Sequence, residues 1–241
     1  MPIPCQKSEE ILSRFPKARP RLPEAYKKIH KEYYILNRNG MTVATSLSQK
    51  MEAWLHFQVA QDVSNSKKWV ATLELGAGTL NQLDYEPSRG PYDVVEPFQE
   101  LYKNSDKKTR VRKFYKSLFE IKKGKYDRIT SVAVLEHLTN LPQIIEKSIK
   151  LLKPNGSFRA AIPNEGTIFW WIGTQFTGFE FAKKYGLSYK KLLQYEHLNT
   201  AHEIDVVLNN YFEEVACSYL GFSKKLAFYR FYSCKKPRDF L

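Results

Sequence analysis

The chain changes rhythm once. Up to about residue 65, apolar residues recur at helical spacing, with Tyr26, Ile29, Tyr33 and Leu36 or Asn37 on one face until Asn39-Gly40 supplies a stop. Pro16, Pro20 and Pro23 punctuate an extended lead, and Pro23 suits a first helical turn, where a missing N–H costs nothing. A second helix follows: Ser46 and Gln49 read as a capping box, with Met51, Leu55 and Val59 on one face and Trp54 and His56 flanking it.

From Trp69 onward, short apolar runs alternate with other segments: 69–75 (WVATLEL), 92–96 (YDVVE), 111–117 (VRKFYKS), 126–135 (YDRITSVAVL) and 157–163 (SFRAAIP). Between the last two runs the pattern predicts a helix capped by Asn140, with Ile144, Ile145, Ser148, Ile149 and Leu152 facing inward, ended by a turn at 153–156. Such alternation implies parallel strands joined by right-handed crossovers. The final stretches EEVACSYLGF and LAFYRFYSC leave no room for a helix between them and should pair as an antiparallel hairpin. The expected fold is α/β: a doubly wound, mostly parallel seven-stranded sheet with an antiparallel C-terminal hairpin. Residues 1–65 form an N-terminal helical extension or lid, residues 66–241 the main domain, and residues 166–200 an aromatic-rich insertion after strand five. Ligands of open α/β sheets bind beyond the carboxyl ends of the strands, so this insertion would cover the site, although Phe169, Trp170 and Trp171 could equally be core.

Composition narrows the class. With 241 residues, 43% of them hydrophobic, the chain can bury one substantial core. No apolar run reaches a membrane span and the start lacks a signal-peptide stretch, so a cytoplasmic protein is expected. Cys5, Cys217 and Cys234 are scattered, which indicates neither a disulfide framework nor a zinc site, and no other spacing argues for a metal. The formal charge of +13 is concentrated in residues 101–125 and favours an anionic partner, although a solubilising face accounts for it as well. Nucleic acid is the less favoured partner, because the aromatics are grouped rather than interleaved with the basic residues.

The stretch LELGAGT at 73–79 carries the candidate chemistry. Gly76 and Gly78 stand where strand one turns, a position that lets backbone approach a nucleotide-type ligand closely. Glu96, eighteen residues past Gly78, can accept both hydroxyls of a ribose. The third glycine of G-x-G-x-x-G is replaced by Asn81, and a charged Glu74 at the mouth of the turn would repel a pyrophosphate while attracting a cationic ligand. S-adenosylmethionine (SAM), with its ammonium and sulfonium, meets that description.

LELGAGTLNQL, YDVVEP, YDRITSVAVLEHLTNLPQII and LLKPNGSFRAAIPNEG occur in an order and spacing that resemble the class I, Rossmann-like SAM-dependent methyltransferases, in their small-molecule branch. The resemblance implies a cytoplasmic enzyme that uses SAM. It assigns Glu74, Gly76, Ala77 and Gly78 to the methionine part, Glu96 to the ribose, Ser117, Leu118 and Phe119 to the adenine, and Leu135, Glu136 and His137 to the edge beside the sulfonium. Position 117 departs from the family pattern, in which an acidic residue is common. A hydroxyl acceptor usually needs a general base, and His137, His197 and His202 are the candidates, the first two preferred. Residues 19–34 and 46–60 are similar to the leaders of bacterial methyltransferases of surface-polysaccharide biosynthesis, which implies a small, anionic or glycosyl acceptor such as a sugar or nucleotide sugar. The competing readings are an RNA-directed methyltransferase, a nucleotide-binding oxidoreductase, and a non-catalytic nucleic-acid- or partner-binding protein on the same fold.

Overall fold

The computed structural model describes residues 6–30, 46–64, 68–87 and 89–238. Tyr33, Leu36, Asn37, the Asn39-Gly40 stop and Cys5 lie outside them, as do the side chains of Ser46, Gln49 and Phe169.

Seven strands form one sheet in the order β3-β2-β1-β4-β5-β7-β6. The parallel part is β1 (Thr72–Leu75), β2 (Tyr92–Val95), β3 (Lys113–Tyr115), β4 (Tyr126–Val132) and β5 (Leu152–Pro163). β6 (Phe212–Gly221) and β7 (Ala227–Pro237) form the antiparallel hairpin, with β7 against β5. β1 and β4 are fully or almost fully buried along their length, as expected of parallel strands covered on both faces.

The covering layers depart from the alternation expected along the chain. After β1, β2 and β3 the described connections carry only short 3-10 turns, at Asn81–Asp84, Gln99–Leu101, Asp106–Arg110 and Leu118–Glu120. Prolines at 87 and 91 and the left-handed Gly90 break the connection from β1 to β2. An upstream helix covers the other half of the sheet. Helix α3 (Ser46–Ser64) follows the short helices α1 (Gln6–Leu12) and α2 (residues 24–30), and it lies on β4, β5 and β7, burying Leu55 and Val59 against Val132, Ala161 and Phe231.

The opposite face carries α4 (Leu141–Leu151) and α7 (Ala201–Tyr211) over the main core, where Ile145, Ile204 and Leu208 meet Ile129, Phe158 and Phe212. Asn140 occupies the N-cap of α4 but bonds the Gln143 side chain instead of a backbone N–H, whereas Thr200 and Glu203 cap α7 reciprocally. Residues 153–156 do not end in a separate turn. They bulge within β5 between the Tyr126–Leu152 and Arg128–Ser157 pairings.

The face under α3 is polar as well as apolar. Arg128 of β4, 1% exposed, pairs with Glu86 at 2.6 Å and Asp62 at 3.2 Å and donates to the Val59 carbonyl at 2.7 Å. Arg159 of β5 donates to the Gln58 and Val59 carbonyls. His56 stacks on Tyr85 and bonds Gln82 at 2.8 Å. Guanidinium groups buried among this many acceptors hold α3 in one register, since losing any partner would strand a charge away from water.

Residues 166–200 form helices α5 (Ile168–Tyr185) and α6 (Tyr189–Glu196), packed together and against α2 through Phe181, Leu192 and Tyr26. None of the described helices is long and apolar enough to cross a membrane.

Candidate active site

The strand order reverses between β1 and β4. Their carboxyl ends diverge into turns running opposite ways, which opens a crevice. The turn after β1 is shaped by three left-handed residues: Gly76 (φ 68°), Gly78 (φ 52°) and Leu80 (φ 67°). Gly76 donates to the Val95 carbonyl at 2.8 Å, and a Cβ there would collide with Val134. Gly78 donates to Glu96 Oε2 at 2.8 Å, while Glu96 Oε1 accepts from Phe98 N at 2.9 Å. The carboxylate at the end of β2 is thereby fixed against the turn, and Ala77 packs beneath it with Leu80, Leu83 and Val94.

Glu74 is placed differently from a residue at an open mouth. It is 2% exposed and accepts from the Tyr92 hydroxyl at 2.9 Å. Burial pushes its carboxyl up to about 8, with Glu86 and Glu96 adding to the rise against the opposing effects of Tyr92 and Arg128. Buried and with its proton held more tightly than usual, this carboxyl presents less charge to a phosphate than one at the open mouth of the turn would. Discrimination in favour of a cationic ligand falls to Glu96 and to what a bound cation would do to the Glu74 proton.

At the end of β4, Ala133 adopts φ 52° and the chain turns through Val134 into Leu135, Glu136 and His137. The segment after α6 is strapped to this turn. Leu198 and Asn199 donate their N–H groups to the Glu136 carbonyl at 2.7 and 3.0 Å, and the Asn199 side chain reaches the Leu135 carbonyl at 2.8 Å.

The strap brings the two preferred histidines together, with ring centroids 4.8 Å apart and planes at 87°. His137 Nδ1 faces the Glu196 carbonyl at 2.9 Å and must therefore carry the proton there. His197 Nδ1 meets Glu165 Oε2 at 2.7 Å. Burial works against the His197 imidazolium, but Glu165, with smaller help from Glu136 and Glu196, outweighs it and leaves the pKa raised. His202 is exposed on α7, away from this pair.

The N-terminal arm completes the assembly from outside. Arg19 donates to the carbonyls of Tyr195 and His137 at 2.5 Å each, and Lys17 reaches Glu203 and the Leu198 carbonyl at 2.7 Å. His30 contacts Glu196 at 3.0 Å, and that carboxylate is held below its ordinary range: His30 and the nearby His137 outweigh the opposing effect of burial. The arm clamps α6 and the end of β4 into one unit.

His197 stands at the end of a groove of about 1110 Å³ between α5 and α6. Its walls carry Trp170, Trp171, Phe179 and Tyr189, with Gln175 and Gln194 among the polar groups. Trp171 and Phe179 are 59% and 74% exposed. His137, at the end of β4, touches His197, and His197 in turn lines the groove.

The adenine-side residues are mixed. Ser117 accepts from Phe119 N at 3.3 Å to cap a 3-10 turn, Phe119 is 42% exposed, and Leu118, like Leu135, is committed to the main core. The side chains of Leu118 and Leu135 are therefore not available to a ligand. The residues not anticipated are Glu165, Arg19 and Tyr92. Glu165 lies thirty-two residues from its partner, and only its place just past β5 marks it in the sequence.

This combination of topology and crevice is the class I methyltransferase architecture. A model of the methyltransferase domain matches residues 44–209, from just before α3 to the end of α7, and the chain belongs to that family, the SAM-dependent methyltransferases. No protein of curated function matches it by sequence. Among solved structures it resembles the N-methyltransferase NodS from Bradyrhizobium japonicum WM9 bound to S-adenosylhomocysteine (TM-score 0.58, 14% identity, 90% of this chain and 100% of that one). The plantazolicin methyltransferase BpumL, also with S-adenosylhomocysteine, gives a TM-score of 0.56 at 14% identity over 96% and 98% of the two chains. A SAM-dependent methyltransferase from Thermotoga maritima gives 0.55 at 13% identity over 88% and 99%.

Proposed function

We propose that the protein is an O-methyltransferase whose acceptor is a glycosyl compound, a sugar or nucleotide sugar, bound in the α5–α6 groove with a hydroxyl at His197. The observation that carries this reading is the Glu165–His197 pair at the end of that groove. With Nδ1–H held by Glu165, His197 has Nε2 as its acceptor nitrogen, the tautomer a general base requires. Aromatic walls stack on the C–H faces of a sugar while Gln175 and Gln194 meet its hydroxyls, and Lys190 at the same groove suits an anionic substituent.

The cofactor side fits SAM. Gly76, Ala77 and Gly78 offer a backbone that a ligand can approach closely, Glu96 offers a fixed carboxylate for the ribose hydroxyls, and the buried Thr79 hydroxyl has no protein partner among the described residues. Phe119 supplies an exposed ring, and the backbones of Ser117, Leu118, Leu135 and Glu136 would flank the bound adenosyl group. SAM, when bound, supplies an electrophilic methyl group. The chain's own part is to orient the acceptor, to shed water from the groove and to move one proton from the acceptor hydroxyl to His197 Nε2.

Methyl transfer from isotopically labelled SAM to a panel of sugars and nucleotide sugars tests the reading. Transfer to a hydroxyl of at least one of them is expected. Tight S-adenosylhomocysteine binding without transfer to any glycosyl compound would overturn the acceptor assignment while leaving the enzyme class standing.

A further inference from the structure

The basic run at 101–125 does not approach the groove. Part of it closes a second cavity, of about 450 Å³, at the opposite edge of the sheet, where β1, β3 and β4 begin. The seven residues of β4 separate that edge from the glycine turn by roughly 20 Å.

Five cations from three separated segments converge on this cavity: Arg112, Lys113, Lys123, Lys125 and Lys153. Two are neutralised. Arg112 grips the buried Asp93 at 2.8 and 2.5 Å, and Lys153 lies 2.9 Å from both oxygens of Asp127. Lys125 donates to the carbonyls of Lys150 (2.9 Å) and Leu152 (3.3 Å), which aims the ammonium without cancelling its charge. Lys113 and Lys123 are paired with no carboxylate among the described residues. Three uncompensated like charges around one cavity repel each other until an anion enters. Trp69 stands on the same rim, 78% exposed, with no ring partner among the described residues.

A solvated basic face needs no cavity and has no use for a bare indole. We propose that this is a binding site for a nucleoside phosphate, its phosphate among Lys113, Lys123 and Lys125 and its base stacked on Trp69. Nucleotide-sized ligands fit a cavity of this volume. The bound group can be a free nucleotide or the terminal nucleotide of an RNA strand, since both present the same chemistry. It lies too far from His197 to be methylated, so the site anchors or regulates, and it does not depend on the glycosyl acceptor assignment.

Calorimetry on protein saturated with S-adenosylhomocysteine, which blocks the adenosyl crevice, tests the site with 5′-AMP, inorganic phosphate and a single-stranded RNA of about ten nucleotides. 5′-AMP should bind, and Lys113→Glu with Lys123→Glu should weaken it by at least about tenfold without changing S-adenosylhomocysteine affinity, which certifies the variant's fold. Trp69→Ala should weaken 5′-AMP and spare inorganic phosphate. 5′-AMP binding without RNA binding assigns a free nucleotide, whereas RNA binding at least as tight and abolished by the same lysine changes assigns a strand end. No 5′-AMP binding at about 1 mM, or binding indifferent to all three substitutions, overturns the proposal.

Discussion

The two halves of the crevice are finished to different degrees. On the cofactor side the polar groups engage one another: Glu96 accepts from Gly78 and Phe98, Glu74 from Tyr92, and Arg128 is ringed by Glu86, Asp62 and the Val59 carbonyl. On the side proposed for the acceptor, Trp171 and Phe179 of the α5–α6 groove are more than half exposed, while the histidine end is clamped by the arm. The contrast shows where each kind of specificity resides. A cofactor of constant shape can be met by rigid, internally bonded backbone, whereas an acceptor is met by side chains whose apolar surface stays unsatisfied until it arrives.

The sharpest way to break the contrast is at its seam. His197→Asn should lower kcat by about 10²- to 10⁴-fold while leaving S-adenosylhomocysteine affinity nearly unchanged, as steady-state kinetics and calorimetry together would show. An equal loss of cofactor binding would mean that the two halves are not separable. The pH profile follows from the sign of the shift. His197 must be neutral to take a proton and its pKa is raised, so kcat should climb with pH through an inflection above the ordinary ~6.5. In Glu165→Gln the largest of the raising influences is lost, burial is opposed only by Glu136 and Glu196, and the inflection should move down. The imidazolium–carboxylate pair likewise stabilises the fold fully below about 6.5 and ceases to as pH rises through the raised value, a loss that Glu165→Gln should not show in its melting temperature.

On the cofactor side, Gly76→Ala combines a left-handed φ with a collision at Val134 and should cost about 2–4 kcal/mol of stability by denaturant unfolding. Glu96→Ala should weaken cofactor binding by about 1–3 kcal/mol, and an unchanged affinity would remove it from the ribose contact. In acid, Glu74→Gln should leave the stability of the free protein nearly unchanged, because the glutamine mimics the protonated acid. The native carboxyl favours the fold below about 4.5 and loses that advantage as pH rises through about 8, so the variant should match the native protein in acid and exceed it in alkali.

The parallel strands and the terminal hairpin were legible in the sequence because buried strands announce themselves as apolar runs and a hairpin as two runs without space between them. α3 was not legible as a sheet layer. Its residues showed an apolar face, but nothing in 46–64 says which surface receives it, and the answer lies in Arg128 and Arg159, which read as ordinary strand arginines. The glycine turn and Glu96 were legible because their spacing is local to one strand–turn–strand unit. The Glu74 proton was not, since its environment is assembled from Tyr92, Glu86 and Arg128. His137 and His197 could be singled out as bases one by one. Their contact, and the role of Glu165, depend on the strap from 198–199 to the end of β4.

Leu80 has a consequence of its own. It stands in the left-handed conformation at a cost of about 1–2 kcal/mol, yet it is fully buried, which for a leucine is worth about 1.5–3 kcal/mol. The two nearly cancel, with the side chain slightly ahead, so the position tolerates either a residue that relaxes the bend or one that fills the space beneath it.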